Sequence, residues 1–269
     1  MDLDAYLRRI DHHGSLAADL ATLRALHRAH LEAIPYENID VQLGRTVVTD
    51  PAAVFDRIVH RGRGGWCYEM NGVLGWALGE AGFRVTRLAG GVMREVAGDD
   101  RVGNHLVLKV DLPEGPWIAD VGFGDGPIEP YPLTTHDFEQ EGYAFSLADI
   151  GEGWWRVKNH PLGGAPSFDF RAEAADEALL SAKCAELQTS PESNFVKLLI
   201  CQRATPKGLY QLRGRVLRTV QPGSFDEQLI EDEDEFRRML GDVFGLSDPE
   251  IPRLWRKVCE RHAAVFATT

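Results

Sequence analysis

The sequence has few cysteines, no long apolar run and no excess of positive charge. Its apolar stretches are broken well before the roughly 20 residues that a membrane-spanning helix needs, which argues against a membrane protein. The N-terminus carries Asp2 and Asp4 without the apolar core of a signal peptide, so we predict a cytoplasmic protein that binds no membrane. With 29 basic and 41 acidic residues, the formal charge of −12 argues against general binding to nucleic acid.

The four cysteines are too few and too far apart to form a metal site or a disulfide framework. No pair has the C-x-x-C spacing of zinc and redox sites, and a chain of 269 residues is not stabilised by disulfides at this density. We therefore predict no metal and four free thiols, which pack as small hydrophobic residues unless their neighbours activate one. They are Cys67, Cys184, Cys201 and Cys259.

The apolar spacing changes along the chain from helical to strand-like and then to mixed. Helical spacing holds to about residue 85, and from about residue 84 a period near two indicates an antiparallel sheet or small barrel. This order predicts an α+β protein in three segments. The predicted helices span 3–10, 16–33, 51–59, 66–82, 172–188 and 226–241. The predicted strands span 84–94, 104–111, 117–122, 143–149 and 153–158, with a strand pair around 208–214 and a strand or helix around 195–202.

Cys67 is the thiol whose surroundings favour reactivity. It follows Gly64 and Gly65 and lies in the first turn of a predicted helix, where free backbone N–H groups and the helix dipole favour a thiolate. Arg63 adds positive charge nearby in the sequence. The alternative is a structural cysteine buried at a tightly packed turn.

His105 and Asp120 are the residues that complete a nucleophilic triad. His105 is the histidine that lies within a predicted strand, whereas the other eight lie in helices, loops or tails. If the turn after residue 112 is centred between residues 113 and 114, Asp120 faces Val107 and lies diagonally from His105 on the same face of a hairpin. A thiolate nucleophile needs such a base and a carboxylate that orients it. The alternative is a packed histidine and a turn aspartate.

Four segments of the sequence match a known family in order. The segment Arg63–Gly72, which reads RGGWCYEMNG, closely resembles the active-site motif of arylamine N-acetyltransferases. Ile34–Asn38 is similar to the family's I-P-[FY]-E-N segment, Asn104–Leu106 to its histidine strand, and Asp120–Gly124 to its aspartate loop. Ser190–Phe195 matches the start of the third domain more weakly, and Trp66 stands where the family often has Phe or Tyr.

The resemblance implies a helical bundle, an antiparallel β-barrel and an α/β lid around a cysteine-protease-like catalytic core. The corresponding domains are 1–85, 86–185 and 186–269. The resemblance also implies ping-pong transfer of an acetyl group from acetyl-CoA, through a thioester on Cys67, to an arylamine, arylhydroxylamine or hydrazine. His105 is then the base and Asp120 its orienting partner, in a monomer or homodimer that uses no metal.

The resemblance also implies which residues surround the reacting groups. Phe123 and Gly124 are expected to line the acyl pocket, and Met93 and Tyr36 to border the acceptor. Gly103 and Asn104 are expected to contact CoA, for which the sequence offers no P-loop or Rossmann fingerprint. Inside the cysteine motif, Glu69 and Asn71 are expected to stabilise the start of the helix.

Three other functions remain open from the sequence. An amide synthase that closes a macrolactam would keep the same triad with a different donor and acceptor. A cysteine protease or transglutaminase-like enzyme is disfavoured by the specific motif and by the acidic composition. A binding protein on a decayed scaffold is disfavoured because Cys67, His105 and Asp120 are all present.

Overall fold

The computed structural model describes residues 1–266, with side chains through residue 264. Within these residues, no helix is both long enough and apolar enough to cross a membrane. The helices are α1 Leu3–Arg9, α2 Leu20–Ala33, α3 Ile39–Gln42, α4 Pro51–Phe55, α5 Cys67–Glu80, α6 Arg94–Ala97, α7 Glu177–Thr189, α8 Asn194–Lys197, α9 Glu233–Asp242 and α10 Ile251–Phe266. A π-helical turn, Asp56–His60, follows α4, and a 3₁₀ turn covers Asp99–Arg101.

Aspartates begin most of the longer helices. Asp19 accepts a hydrogen bond from the Thr22 N–H at 2.8 Å, and Asp50, which precedes Pro51, accepts one from the Ala53 N–H. The carboxylate satisfies a free N–H group and interacts favourably with the positive end of the helix dipole. Asp2, Asp176 and Asp232 act in the same way at α1, α7 and α9.

The middle of the chain forms a curled antiparallel half-barrel, in agreement with the predicted fold class. Its strands are β2 Arg84–Val92, β3 His105–Leu112, β4 Gly115–Ala119, β5 Tyr131–Pro132, β6 His136–Gln140, β7 Tyr143–Gly151, β8 Trp154–Lys158 and β9 Ser167–Arg171. They lie in the order β5-β4-β3-β2-β9-β8-β7-β6. Apolar residues of α5 and β3, including Leu74 and Leu108, share one buried core, so the sheet carries the helix that begins at Cys67.

A second antiparallel sheet combines one short strand from the N-terminal part of the chain with four strands from its last third. Its strands are β1 Tyr36–Glu37, β10 Ile200–Thr205, β11 Gly208–Arg213, β12 Val216–Gln221 and β13 Ser224–Leu229, in the order β1-β10-β11-β12-β13. Tyr36 pairs with Gln202, so a short strand from the helical segment forms the sheet edge. The division into three domains stays a prediction. The predicted boundary between the second and third domains, at residue 185, falls inside α7.

The predicted helix over 226–241 is wrong in its first part. Residues 224–229 form β13, and the helix begins only at Glu233, after its cap Asp232. A tight turn at Gly223, whose φ of +77° suits glycine, returns the chain to pair with β12. The hydrogen bonds between β12 and β13 therefore decide the structure of residues 224–229, although the spacing of their apolar residues is helical. The ambiguous region around 195–202 divides into α8 and the start of β10.

Candidate active site

Cys67 is the first residue of α5, as the sequence predicts. Trp66 occupies the N-cap position, and the Glu69 carboxylate accepts the Trp66 backbone N–H at 3.3 Å, which stabilises the helix start. The cysteine is 3% exposed and lies on the wall of a cavity. The free N–H groups of the first turn thus point toward the same region as the thiol.

Arg63 does not supply its charge to Cys67. Its guanidinium donates to Glu37 at 2.9 Å and to Asp248 at 3.1 Å, and none of these three residues lines the cavity. Arg57 also donates to Glu37 and pairs with Glu69. Burial raises the pKa of Glu69 to about 6, although Arg57 opposes that shift. This ion network stabilises the turn before Cys67 and attaches it to the start of α10.

The hairpin that carries the other two residues of the predicted triad has the predicted register. Leu108 pairs with Ala119 and Val110 with Trp117, so Asp120 falls opposite Val107. His105 Nε2 lies 2.7 Å from Asp120 Oδ2, with both side chains buried. The remaining ring nitrogen of His105, Nδ1, is therefore the one that can face Cys67.

The His105–Asp120 pair has the electrostatics of an ion pair. Burial by itself would lower the pKa of His105, but the Asp120 carboxylate and the Cys67 thiol outweigh it and raise this pKa to about 10. Burial would raise the pKa of Asp120, and His105, Asn71 and the Gly122 N–H together lower it. The site therefore favours an imidazolium beside a carboxylate.

Asn71 contacts the triad, contrary to the expectation that it stabilises the helix start. Its Nδ2 donates to Asp120 Oδ1 at 2.7 Å and to the Leu106 carbonyl at 2.6 Å, and its Oδ1 accepts the Val121 N–H. Asn71 follows Cys67 by four residues and so lies on the same face of α5. That spacing was the signal in the sequence that could have identified it.

His27 supports Asp120 from the far side. Its Nε2 accepts the Asp120 backbone N–H at 3.1 Å, and its Nδ1 donates to the Ile128 carbonyl at 2.9 Å, so one ring links both ends of this loop. Burial lowers the pKa of His27, which keeps the ring neutral and able to accept. Nothing in the sequence indicated this contact, because 93 residues separate the two partners.

The cavity beside Cys67 measures about 560 Å³ and brings together most of the predicted site residues. Three predicted residues lie outside its wall. Gly103 packs beneath α7, where an added Cβ would lie 2.9 Å from Leu179, and Gly124 packs against Gln202. Asp120 lies behind His105 and away from the cavity. The predicted residues that line the cavity are Tyr36, Cys67, Met93, Asn104, His105 and Phe123.

Two arginines line the cavity wall together with the carboxyl groups of Asp125 and Glu192. Arg101 and Arg213 line the cavity, and within the described side chains neither has a carboxylate within 4.0 Å. Guanidinium groups in this position can bind phosphate oxygens. No cluster of three metal-binding side chains occurs in residues 1–264.

Comparison with known proteins agrees with this site. A family model described as N-acetyltransferase matches residues 19–249. An arylamine N-acetyltransferase from Mycolicibacterium smegmatis is 37% identical over 83% of this chain and 84% of its own length. Human arylamine N-acetyltransferase 1 is 30% identical over the full length of both chains.

Solved structures show the same fold. The arylamine N-acetyltransferase of Mycobacterium marinum superposes with a TM-score of 0.89 and 32% identity, covering 96% of this chain and 99% of that one. A structure of the M. marinum enzyme in complex with CoA gives a TM-score of 0.87 with 31% identity and the same coverage. On the sequence match and the fold together, this chain belongs to the arylamine N-acetyltransferase family.

Proposed function

We propose that this protein transfers an acetyl group from acetyl-CoA to arylamines, arylhydroxylamines or hydrazines through a thioester on Cys67. The observation that carries the proposal is the position of Cys67 and His105 on one cavity wall, with Asp120 2.7 Å behind His105. The CoA complex of the M. marinum relative supports acetyl-CoA as the donor.

In the first half-reaction, the Cys67 thiolate attacks the acetyl carbonyl carbon. The new carbon–sulfur bond forms as the carbonyl π electrons move to oxygen, and collapse of this intermediate expels CoA as a thiolate. The His105 imidazolium supplies the proton that this leaving thiolate takes up. The product is acetyl-Cys67 with a neutral His105.

In the second half-reaction, the amine nitrogen attacks the thioester and His105 accepts the proton that the nitrogen loses. Collapse expels the Cys67 thiolate and restores the ion pair. Asp120 stabilises the imidazolium and holds Nε2, so that Nδ1 faces the reacting atoms. Phe123 and Met93 provide apolar walls for an aromatic acceptor, and Arg101 and Arg213 line the cavity where they would contact the CoA moiety. The side chain of Asn104, which was expected to contact CoA, instead hydrogen-bonds the Val92 backbone with both its oxygen and its nitrogen.

Incubation with acetyl-CoA alone tests the proposal. We expect the intact mass to rise by one acetyl group, peptide mapping to place it on Cys67, and aniline or phenylhydrazine to remove it as the acetylated product. Cys67→Ala should not be acetylated. Cys259→Ala, a matched change on the outer face of α10, should behave as the unmodified chain.

The other outcomes favour the competing functions. An enzyme that accepts no acetyl group from acetyl-CoA would contradict the proposal, and loading from a carrier-bound polyketide would indicate an amide synthase. Cleavage of a peptide or glutamine amide would indicate a protease or transglutaminase. The cytoplasmic location and the monomeric or homodimeric state stay predictions.

A further inference from the structure

Tyr36 is a buried side chain with an unused hydroxyl in the catalytic cavity. The residue is 7% exposed and lines the same cavity as Cys67 and His105. Within the described residues its hydroxyl has no hydrogen-bond partner. The hydroxyl of Tyr131 also has none, but Tyr131 does not line the cavity, whereas Tyr36 does. A buried hydroxyl that finds no protein partner is costly unless water or a ligand satisfies it.

The backbone holds Tyr36 beside the nucleophile. Tyr36 forms a β-bridge with Gly65, two residues before Cys67, and pairs with Gln202 on its other side. The loop after β4 packs against both residues: a Cβ on Gly122 would lie 2.6 Å from the Cys67 Cα, and a Cβ on Gly124 would lie 3.4 Å from Tyr36 Cγ. One loop thus contacts both residues, whose side chains line the same cavity.

The surroundings keep the phenol protonated. Burial raises the pKa of Tyr36 well above 10, and the negative charges of Cys67, Asp125 and Asp120 act in the same direction. Tyr36 therefore remains a hydrogen-bond donor at every pH at which the enzyme would operate. It cannot compete with His105 as a base.

We propose that the Tyr36 hydroxyl is a catalytic residue that donates a hydrogen bond to the acyl oxygen as negative charge develops on it. This inference rests on the proposed acetyl transfer, in which both half-reactions pass through a tetrahedral intermediate at the same carbonyl. The hydroxyl keeps its proton throughout, and the oxyanion electrons return to the carbonyl as the leaving group departs. Such donors act on the transition state more than on the bound substrate.

Tyr36→Phe tests the inference, because it removes one oxygen and preserves the ring. Loss of an oxyanion donor typically slows the chemical step by roughly 10²–10³-fold. The family motif to which Ile34–Asn38 is similar accepts Phe or Tyr here, so the hydroxyl adds to other donors, and we expect a loss of about tenfold. Single-turnover acetylation by acetyl-CoA and deacetylation by aniline should slow by similar factors.

Two controls separate this role from others. Alkylation of Cys67 by iodoacetamide forms no oxyanion, so Tyr36→Phe should leave its rate unchanged. Tyr131→Phe removes a buried, unpartnered hydroxyl outside the cavity and should leave both half-reactions unchanged.

Three results would overturn the inference. The first is that Tyr36→Phe is acetylated at the normal rate, and the second is that its alkylation slows as much as its acetylation. The third is that only deacetylation slows, which would mean that the hydroxyl binds the acceptor. If the unmodified chain is not acetylated at all, the proposed function fails, and that failure is seen before any variant is measured.

Discussion

At the residue scale, the four cysteines differ in what surrounds them. Burial raises the pKa of the Cys184 and Cys201 thiols, and it also raises that of Cys259, which keeps these three as unreactive thiols near neutral pH. Cys67 instead begins a helix and faces an imidazolium. Reactive cysteines are typically found in such settings.

We expect brief iodoacetamide treatment at pH 6 to label Cys67 much faster than the other cysteines. Peptide mapping of the alkylated protein measures the relative rates, and Cys67→Ala should remove the fast phase altogether. Equal labelling of two or more cysteines, or faster labelling of another one, would show that helix position and His105 do not activate Cys67.

The Asp120 carboxylate accepts hydrogen bonds on both oxygens, which makes it sensitive to replacement by an amide. Oδ1 accepts from Asn71 and from the Gly122 N–H, and Oδ2 accepts from His105. In Asp120→Asn, the NH₂ group must face one of these donors, and the negative charge beside the imidazolium is lost.

We expect Asp120→Asn to slow acetylation by at least roughly a hundredfold, which corresponds to about 2.7 kcal/mol of barrier. In serine proteases the same change costs about 10⁴-fold, and a preformed ion pair reduces that loss. Acetylation rates from mass spectrometry and thermal melting should be measured on the same samples. A stable, fully active Asp120→Asn protein would remove Asp120 from the triad.

At the scale of elements, the active site depends on close contact between α5 and the loop after β4. Gly122 permits this contact, because a Cβ there would lie 2.6 Å from both Cys67 Cα and Asn71 Nδ2. Gly79 offers a comparison near the other end of α5, since a Cβ there would meet nothing within 4 Å. A second element therefore packs against Gly122, whereas none packs against Gly79.

Gly122→Ala is expected to destabilise the protein by about 1–3 kcal/mol and to slow acetylation at least tenfold, because the loop must move away from Cys67. Gly79→Ala should stabilise α5 by about 0.5–1 kcal/mol and leave acetylation unchanged. Denaturant unfolding together with acetylation rates measures both effects. If Gly122→Ala and Gly79→Ala have similar free energies of unfolding, the loop after β4 accommodates the methyl group added at residue 122.

At the scale of the whole molecule, two buried histidines limit the pH range of stability in opposite directions. His30, which hydrogen-bonds Tyr6 at 2.9 Å, has its pKa lowered by burial from 6.5 to about 3. As the pH falls from 6.5 to 3, the unfolded chain gains a proton that folded His30 does not, so stability is lost. His105 stays protonated to about pH 10, so its contribution is complete below pH 6.5 and is lost as the pH rises to 10.

We expect the free energy of unfolding to pass through a maximum near neutral pH. His30 contributes a slope of about 1.4 kcal/mol per pH unit on the acid side of this maximum, and His105 contributes a slope of the same size on the alkaline side. His30→Gln should flatten the acid side, and His105→Gln should flatten the alkaline side. Denaturant titrations between pH 4.5 and 9 measure both slopes. If neither slope changes, these histidines titrate alike in the folded and unfolded chain.

The local chemistry of the sequence was enough to predict the position of Cys67 and the β-hairpin. Gly64 and Gly65 before an apolar helical pattern placed Cys67 at a helix start, and the turn after β3 set the register that brings Asp120 to His105. These features depend on neighbours in the chain, where spacing and turn chemistry dominate the free energy. The predicted helix over 226–241 was wrong at its start because pairing with β12 depends on a partner strand.

Only the tertiary structure decided the supporting contacts of the site. His27 reaches Asp120 across 93 residues, and Arg63, which the sequence placed near Cys67, turns away to Glu37 and Asp248. Tyr36 joins the cavity because its short strand pairs with β10, more than 160 residues later. The sequence by itself determined which residues are the candidates for the chemistry, since those lie in compact motifs. Their orientation, charge and access were decided by packing between distant segments, which no local pattern encodes.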